Sequence, residues 1–271
     1  MTTEELDYAQ NNSKTSAKKT KLAHGQKVKG VVNKLDIPVG EVVIVHVRLK
    51  GMTGSGSYTA TSKLLIEELL TTYNPKTVLI PTFTYKFTEH GKYDRLATPS
   101  EVGRFGEEVR KLYPKRRTMN PVFSFVDVND YLCSIEYDDT IAFGRGSLLS
   151  RLSDRGFVQV NINLDKFVST HLHYVEKANG VGYRYDKVFT GRVSSNGEEF
   201  RDIEYKYHVR KLNMDTKWRR EKIKKILDEE GVLYKSCFQG VRSNWIYSDD
   251  LEQVIGSKLD ENPRFLVEDI G

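Results

Sequence analysis

Apolar runs and their spacing divide this chain before any other feature does. Glu41–Arg48 (EVVIVHVR), Thr77–Phe83 (TVLIPTF) and Phe157–Ile162 (FVQVNI) are short and rich in apolar and β-branched residues. That is the pattern of strands covered on both faces. Pro121–Val128 (PVFSFVDV) alternates and then continues as a further strand. Between the first two runs, Tyr58–Tyr73 carries Leu64, Leu65, Leu69 and Leu70 at helical spacing. Ser57 is placed to cap that helix and Asn74-Pro75 to end it. Thr98-Pro99-Ser100-Glu101 reads as a capping box opening a helix that runs to about Tyr113. The glycine loop Phe143–Ser147 leads into the helical segment LLSRLSD. Strand, loop and helix alternate throughout, so the expected class is α/β.

The Arg48–Tyr58 loop joins a strand to a helix, and a right-handed crossover puts it at the C-terminal edge of the sheet, where ligands bind. It fits neither the phosphate-binding pattern GxxxxGK[ST] nor the dinucleotide pattern GxGxxG. Its backbone N–H groups and the helix start could face a phosphate or carbonyl, or the loop could be a plain turn. Ser169–Gly180 (STHLHYVEKANG) holds a second short helix, with Ser169 or Thr170 as its cap and Gly180 as its end. His173 and Glu176 stand three apart on it and share a face beside Leu172 and Val175. That pairing suits a general base, and equally an ordinary hydrogen-bonded histidine.

After Gly180 the pattern changes. VFTGRVSSNGEEFRDIEYKY reads as a hairpin turning at Ser195-Asn196-Gly197, Trp218–Glu230 as a basic amphipathic helix, and Asp249–Leu259 as another helix. The expected organisation is a polar Lys-rich tail over residues 1–28, an α/β core over 29–180, and the hairpin and C-terminal helices of 181–271 packed on that core.

Composition narrows the class further. With 271 residues and 38% hydrophobic content the chain can bury a substantial core. No run is long enough to span a membrane, and the N-terminus lacks the apolar segment of a signal peptide. Cys133 and Cys237 are far apart, with no CxxC, so neither a disulfide framework nor a zinc site is expected, and a cytoplasmic location is. The lysines of the tail lack interleaved aromatic residues, which favours a solvated arm over a nucleic-acid contact. A formal charge of +5 helps hold an anionic ligand and opposes a polycationic one.

Six segments, in order, resemble the aminoglycoside 3-N-acetyltransferase (antibiotic N-acetyltransferase) family: VIVHVRLKGMTGSGSY, LIPTFTY, TPSEVGRFGEEVRKLYP, NPVFSF, AFGRGSLLSRL and THLHYVE. The resemblance covers roughly residues 31–260. It implies an α/β/α sandwich around a mixed, largely parallel sheet and an acyl-CoA-dependent N-acyltransferase, with acetyl-CoA or another short acyl-CoA as co-substrate and no metal. His173, in the HxxE segment with Glu176, is then the general base, and Asp202 or Glu204 the acid that orients it. Arg48, Lys50, Gly51, Gly54, Ser55, Gly56, Ser57 and Tyr58 match the segment lining coenzyme A, with Gly144, Gly146 and Ser147 closing over the thioester arm. Thr84, Glu101, Arg116, Arg117, Asn120 and Arg145 are the expected acceptor contacts.

The same superfamily acylates nucleotide-linked amino sugars for surface polysaccharides. The basic charge, and Asn120-Pro121 where aminoglycoside enzymes read His-Pro, favour that acceptor over an antibiotic. The alternatives are aminoglycoside acetylation, a cysteine nucleophile at Cys133 or Cys237, and a basic nucleic-acid-binding protein. The expected partners are the amino sugar and coenzyme A, with a second copy in a homodimer as a further candidate, and neither nucleic acid nor membrane.

Overall fold

The three most apolar runs lie side by side as parallel strands. In this computed structural model, which describes residues 25–269 apart from Ser55, Asn213 and Asp215, β1 (Val42–Val47) pairs with β2 (Thr77–Pro81) on one side and β5 (Val158–Ile162) on the other. β4 (Phe125–Asp127) adds antiparallel to β2, while β10 (Val241–Tyr247) and β9 (Tyr234–Phe238) extend the opposite edge antiparallel. The order is β4-β2-β1-β5-β10-β9. The sheet is thus mixed, with its parallel pairing confined to the three central strands. Residues 181–271 do more than pack on the core, because they supply two strands of this sheet.

One face is covered by helices. Leu65 and Leu69 of α2 (Tyr58–Tyr73) and Phe105 and Val109 of α4 (Gly103–Leu112) pack with Val43, Val45, Ile80 and Val160 of the strands. Val28, Val31 and Val32 of α1 (residues 25–32) join them. Val28 is fully buried, so the fold reaches back before the expected end of the tail at residue 28; Lys14, Lys18, Lys19 and Lys21 lie outside the described residues. The opposite face packs Val42, Ile44 and Leu79 against α5 (Leu148–Ser153) and against a second sheet. That sheet joins β3 (Lys92–Asp94), which follows the short α3 (Phe87–His90), to the hairpin β6 (Arg184–Ser194) and β7 (Arg201–Arg210). A third cluster unites α6 (His171–Ala178), α7 (Arg220–Glu229) and α8 (Ser248–Glu261), beside the small pair β8 (Thr216–Trp218) and β11 (Val267–Asp269).

Local chemistry explains where elements start and stop. Ser57 Oγ accepts the Ala60 N–H at 3.0 Å, and Asn74 ends α2 in the left-handed region. The hairpin turns where Ser195-Asn196-Gly197 demands it. The helix after Thr98 starts later than a capping box would place it. Thr98 Oγ1 accepts the Asp94 N–H, the Glu101 N–H goes to the Phe83 carbonyl, and Glu107 accepts the Ser100 N–H from inside the helix. Gly106 lets α4 sit directly on β2, since a Cβ there would lie 2.4 Å from the Pro81 carbonyl oxygen.

Strand β4 is shorter than the run Pro121–Val128, because Asn120 Oδ1 captures the Val122 and Phe123 N–H groups in a turn. The basic helix begins at Arg220, leaving Trp218 in a strand. Neither Ser169 nor Thr170 caps α6 with its side chain. Thr170 already has helical backbone angles, and Ser169 Oγ is buried without a partner among the described residues.

Candidate active site

One turn of α6 carries a buried, multiply bonded polar contact. His173 and Glu176 lie one above the other on the helix, with Nδ1 2.9 Å from Oε2. Glu176 has no exposed surface, so its charge needs donors. It has them: Tyr183 Oη at 3.0 Å and Trp218 Nε1 at 2.8 Å both donate to Oε1. Arg184 Nε stands 2.7 Å from Oε2 as a charge contact. Burial alone would push the Glu176 carboxyl up in pKa, but His173, Arg184 and Trp218 outweigh it and hold it below its usual range.

A carboxylate of this kind accepts from Nδ1–H and fixes the tautomer that leaves the Nε2 lone pair available. Burial, with the nearby Arg184 charge, lowers the His173 pKa, while Glu176 opposes the shift. The imidazole is therefore neutral near pH 7, packed against Trp218 at 4.5 Å and Phe143 at 5.1 Å between ring centroids. Its side chain keeps 19% exposure. That opening faces a basin of about 980 Å³.

The basin is unusually cationic. Lys166, Arg184, Arg210, Lys217, Arg219, Arg220 and Lys222 line it, against Glu221 and Glu268. Glu268 is already engaged by Lys217 at 3.3 Å and Arg219 at 3.8 Å. Trp218 and Tyr207 supply aromatic wall beside the imidazole.

A second cavity, of about 540 Å³, opens at the C-terminal ends of β1 and β2. Its walls are apolar, with Val45, Leu49, Ile80 and Phe83 prominent, and Arg48, Lys50 and Arg104 also line it. Thr170, at the head of α6, lines it too, so the two cavities flank the short segment that leads into α6. An apolar channel with cations beside it suits a thioester arm ending in phosphates.

The family model for aminoglycoside 3-N-acetyltransferases matches residues 44–258. The chain belongs to this family. Its activity is therefore acyl-CoA-dependent N-acyl transfer, and acetyl-CoA is the implied co-substrate. Solved structures share the fold of this acetyltransferase. The YokD protein from Bacillus subtilis is 17% identical, with 88% of this chain and 99% of that one covered at a TM-score of 0.67. The aminoglycoside acetyltransferase AAC(3)-IVa apoenzyme is 15% identical, covering 89% and 90% at 0.66. AAC-VIa bound to sisomicin is 14% identical, covering 88% and 97% at 0.69. No curated protein matches the chain by sequence. Among the described residues, no helix is long and apolar enough to cross a membrane.

The structure redistributes the residues expected of an acetyltransferase site. His173 and Glu176 come together, but Asp202 and Glu204 do not reach them. The Asp202 side chain is 91% exposed and pairs with Arg192 on the outer hairpin, and Glu204 sits opposite Thr190 in the same sheet, exposed. Glu176 itself orients the imidazole. Arg117 lies away from the basin that His173 lines: it is buried, bonded to Thr82, Ser124 and the Thr98 carbonyl, and stacked on Tyr93. Arg116 pairs with Asp130 in a separate small cleft.

Asn120 is spent on its turn and on Tyr205 Oη at 2.9 Å. Thr84 is buried against the Pro121 carbonyl, and Glu101 accepts the Lys86 N–H at 3.2 Å. Ser147 is fully buried and caps α5 with its side chain. Gly144 lies beside Lys177 of α6, with Arg145 exposed next to it and Gly146 in a left-handed turn.

Of the expected coenzyme-A segment, Arg48, Lys50 and Tyr58 line the second cavity, and Arg48 pairs with Asp165. Ser57 caps α2, Gly51 accepts from Lys27 through its carbonyl, Gly54 is left-handed, Gly56 donates to the Thr53 carbonyl, and Ser55 is outside the described residues. Tyr183, Arg184 and Trp218, which build the Glu176 pocket, have no sequence signal. They lie 7, 8 and 42 residues beyond Glu176 in unrelated patterns.

Proposed function

We propose that this acetyltransferase moves an acyl group from acyl-CoA to the amine of an amino sugar, with His173 as the general base. The observation that carries this reading is the neutral imidazole held by a wholly buried Glu176 and opening into a basin large enough for a sugar. An ammonium cannot attack a thioester, so its proton must leave, and His173 Nε2 is the group placed to accept it. Glu176 then stabilises the imidazolium through Nδ1. Acyl-CoA supplies the activated carbonyl; Arg48, Lys50 and Tyr58 are the residues that would hold it at the second cavity. Release of free thiol from acetyl-CoA, dependent on an amine acceptor and lost in His173→Ala, tests the assignment.

Two acceptors separate on charge. An aminoglycoside is supported by the family and by the sisomicin complex of AAC-VIa. A nucleotide-linked amino sugar is supported by the basic residues of the basin, which would repel a polycation and attract a diphosphate. A panel of dTDP- and UDP-linked amino sugars and kanamycin-type antibiotics, run with acetyl-CoA and a short hydroxyacyl-CoA, decides between them. Turnover of the antibiotics alone sinks the second acceptor, and turnover of the nucleotide sugars alone sinks the first.

A further inference from the structure

Tyr207 stands in a row of aromatic rings that runs from one cavity to the other. Ile203, Tyr205 and Tyr207 alternate along one face of β7 and join the apolar cluster between the two sheets. Tyr207 also lines the basin together with His173. Both residues flank the same two phenylalanines. Between ring centroids, Phe123 lies 5.1 Å from Tyr207 and 6.2 Å from His173, and Phe143 lies 6.2 Å and 5.1 Å from them. Phe123 also meets Phe83 at 5.1 Å and Tyr85 at 6.0 Å, and both of those line the second cavity. The donor's cavity and the basin of the base are thus joined by packed rings, with the Tyr207 hydroxyl among them.

That hydroxyl is unspent. Tyr73, Tyr93, Tyr183 and Tyr205, the fully buried tyrosines, each donate to a carbonyl or a side chain. Tyr207 Oη makes no hydrogen bond among the described residues, although its ring is held by Phe123, Phe143 and Phe189. The donors beside it are engaged elsewhere: Trp218 on Glu176, and Arg184 on Glu176 and the His208 carbonyl. Burial raises the Tyr207 pKa above its ordinary 10.0, with Arg184 opposing, so the phenol keeps its proton near pH 7. A thiolate, whose conjugate acid has a pKa of about 8.5, is too weak a base to take that proton. The group is therefore a hydrogen-bond donor and not a proton source.

We propose that Tyr207 Oη donates a hydrogen bond to the thioester oxygen and stabilises the oxyanion that forms there. This rests on the acyl-transfer reading of His173. The neutral amine bonds to the thioester carbon, its proton passes to His173 Nε2, and the carbonyl electron pair moves onto oxygen. Tyr207 steadies that charge while keeping its own proton. The pair then returns, the C–S bond breaks, and the leaving sulfur takes the proton from the imidazolium.

Tyr207→Phe keeps the ring and removes only the hydroxyl. With acetyl-CoA and an amine that the unaltered enzyme accepts, its kcat should fall by about 10²–10³, the usual worth of one oxyanion donor. Both KM values should stay within about threefold, since the contact strengthens only in the transition state. The melting temperature should hold. A second readout needs no acceptor: the infrared band of acetyl-CoA isotope-labelled at its carbonyl carbon. On binding to the unaltered protein the band should move to lower frequency, and in Tyr207→Phe it should return toward its free position.

An undiminished kcat in Tyr207→Phe overturns the proposal, and so does a carbonyl band equal in the two proteins. A raised acceptor KM with kcat retained makes Tyr207 an acceptor contact and overturns it as well. Should the unaltered protein acylate no amine while the bands still differ, the acceptor reading fails and the Tyr207 contact stands. Failure to bind acetyl-CoA at all sinks both.

Discussion

Trp218 lies across two polar partners at once: its indole N–H donates to Glu176 at 2.8 Å, and its ring packs on His173 with centroids 4.5 Å apart. The residue that fixes the carboxylate thus also forms one wall of the imidazole. His173, Glu176 and the wall of the basin are thus joined through one side chain.

Replacing His173 with Ala is expected to lower kcat by about 10²–10⁴, the usual contribution of a general base, with coenzyme-A affinity unchanged. His171→Ala should behave in the opposite way. His171 is buried, with Nε2 on Glu252 at 2.6 Å, so its loss should lower the melting temperature and leave kcat within a few-fold. Steady-state kinetics and thermal melts of both variants check the contrast; equal kcat losses in two well-folded proteins would remove His173 from its role.

Glu176→Gln should cost both rate and stability. The amide cannot serve Nδ1–H as the carboxylate does, and Arg184 loses its counter-charge in a buried setting, a change worth about 3–5 kcal/mol. Asp202→Asn and Glu204→Gln should change neither, since both side chains are exposed on the outer hairpin. Denaturant titration beside the activity assay reads both quantities, and an inactive Asp202→Asn would restore the hairpin acid to the mechanism.

The acid limb of kcat/KM should lie below the ordinary histidine value of 6.5, because burial and Arg184 lower the His173 pKa. Arg184→Met removes a positive charge beside the ring, which favours the imidazolium and raises that pKa. Activity should then disappear at a higher pH than in the unaltered enzyme. A pH–rate profile that stays in place, or moves to lower pH, contradicts the assigned base.

Burial lowers the His46 pKa to about 4, from 6.5. The unfolded chain then binds a proton between those values that the folded chain does not, so stability is complete above pH 6.5 and falls as pH drops toward 4. The full effect is on the order of 3 kcal/mol at most. His46→Leu should flatten this part of the pH–stability curve. Chemical denaturation at pH 7 and pH 4.5 measures it, and an unchanged slope would mean that His46 is not buried as a neutral group.

Arginine variants should divide by location. Arg117→Met should lower stability with little effect on acceptor KM, because Arg117 is buried among Thr82, Ser124 and Tyr93. Arg220 lines the basin over Trp218, so Arg220→Gln should raise KM for an anionic acceptor by about 10- to 150-fold, the worth of a charge-assisted bond. For an aminoglycoside the same change should leave KM level or lower it. Paired KM measurements decide whether the basin's charge is used.

What could be read in the chain follows from how locally each feature is determined. The central strands were legible because runs such as VVIV and TVLI fit only a doubly covered sheet, and α2 because Ser57 and Asn74 mark both of its ends. The His173–Glu176 pair was legible because one helical turn fixes it. Glu107 reaches back to Ser100 and delays α4, a contact that no capping pattern encodes. The buried setting of Glu176 was hidden because it depends on Trp218, Tyr183 and Arg184, which only the tertiary fold brings together. Arg116 and Arg117, equal neighbours in sequence, end in an exposed ion pair and a buried network, a difference set by the backbone around Thr82 and Thr98.

The pairing of β10 with β5 has a consequence for synthesis on the ribosome. Until residues 241–247 have emerged, the nascent chain carries β5 with an open edge, the kind of edge that recruits other strands. At about 5–20 residues per second, some 80 residues of elongation amount to several seconds of exposure. Trp218 emerges within that same interval, so the wall of the base and the closure of the sheet arrive together. A polypeptide stalled before that point has His173 and Glu176 but no working pocket, and it is the species a chaperone should hold longest.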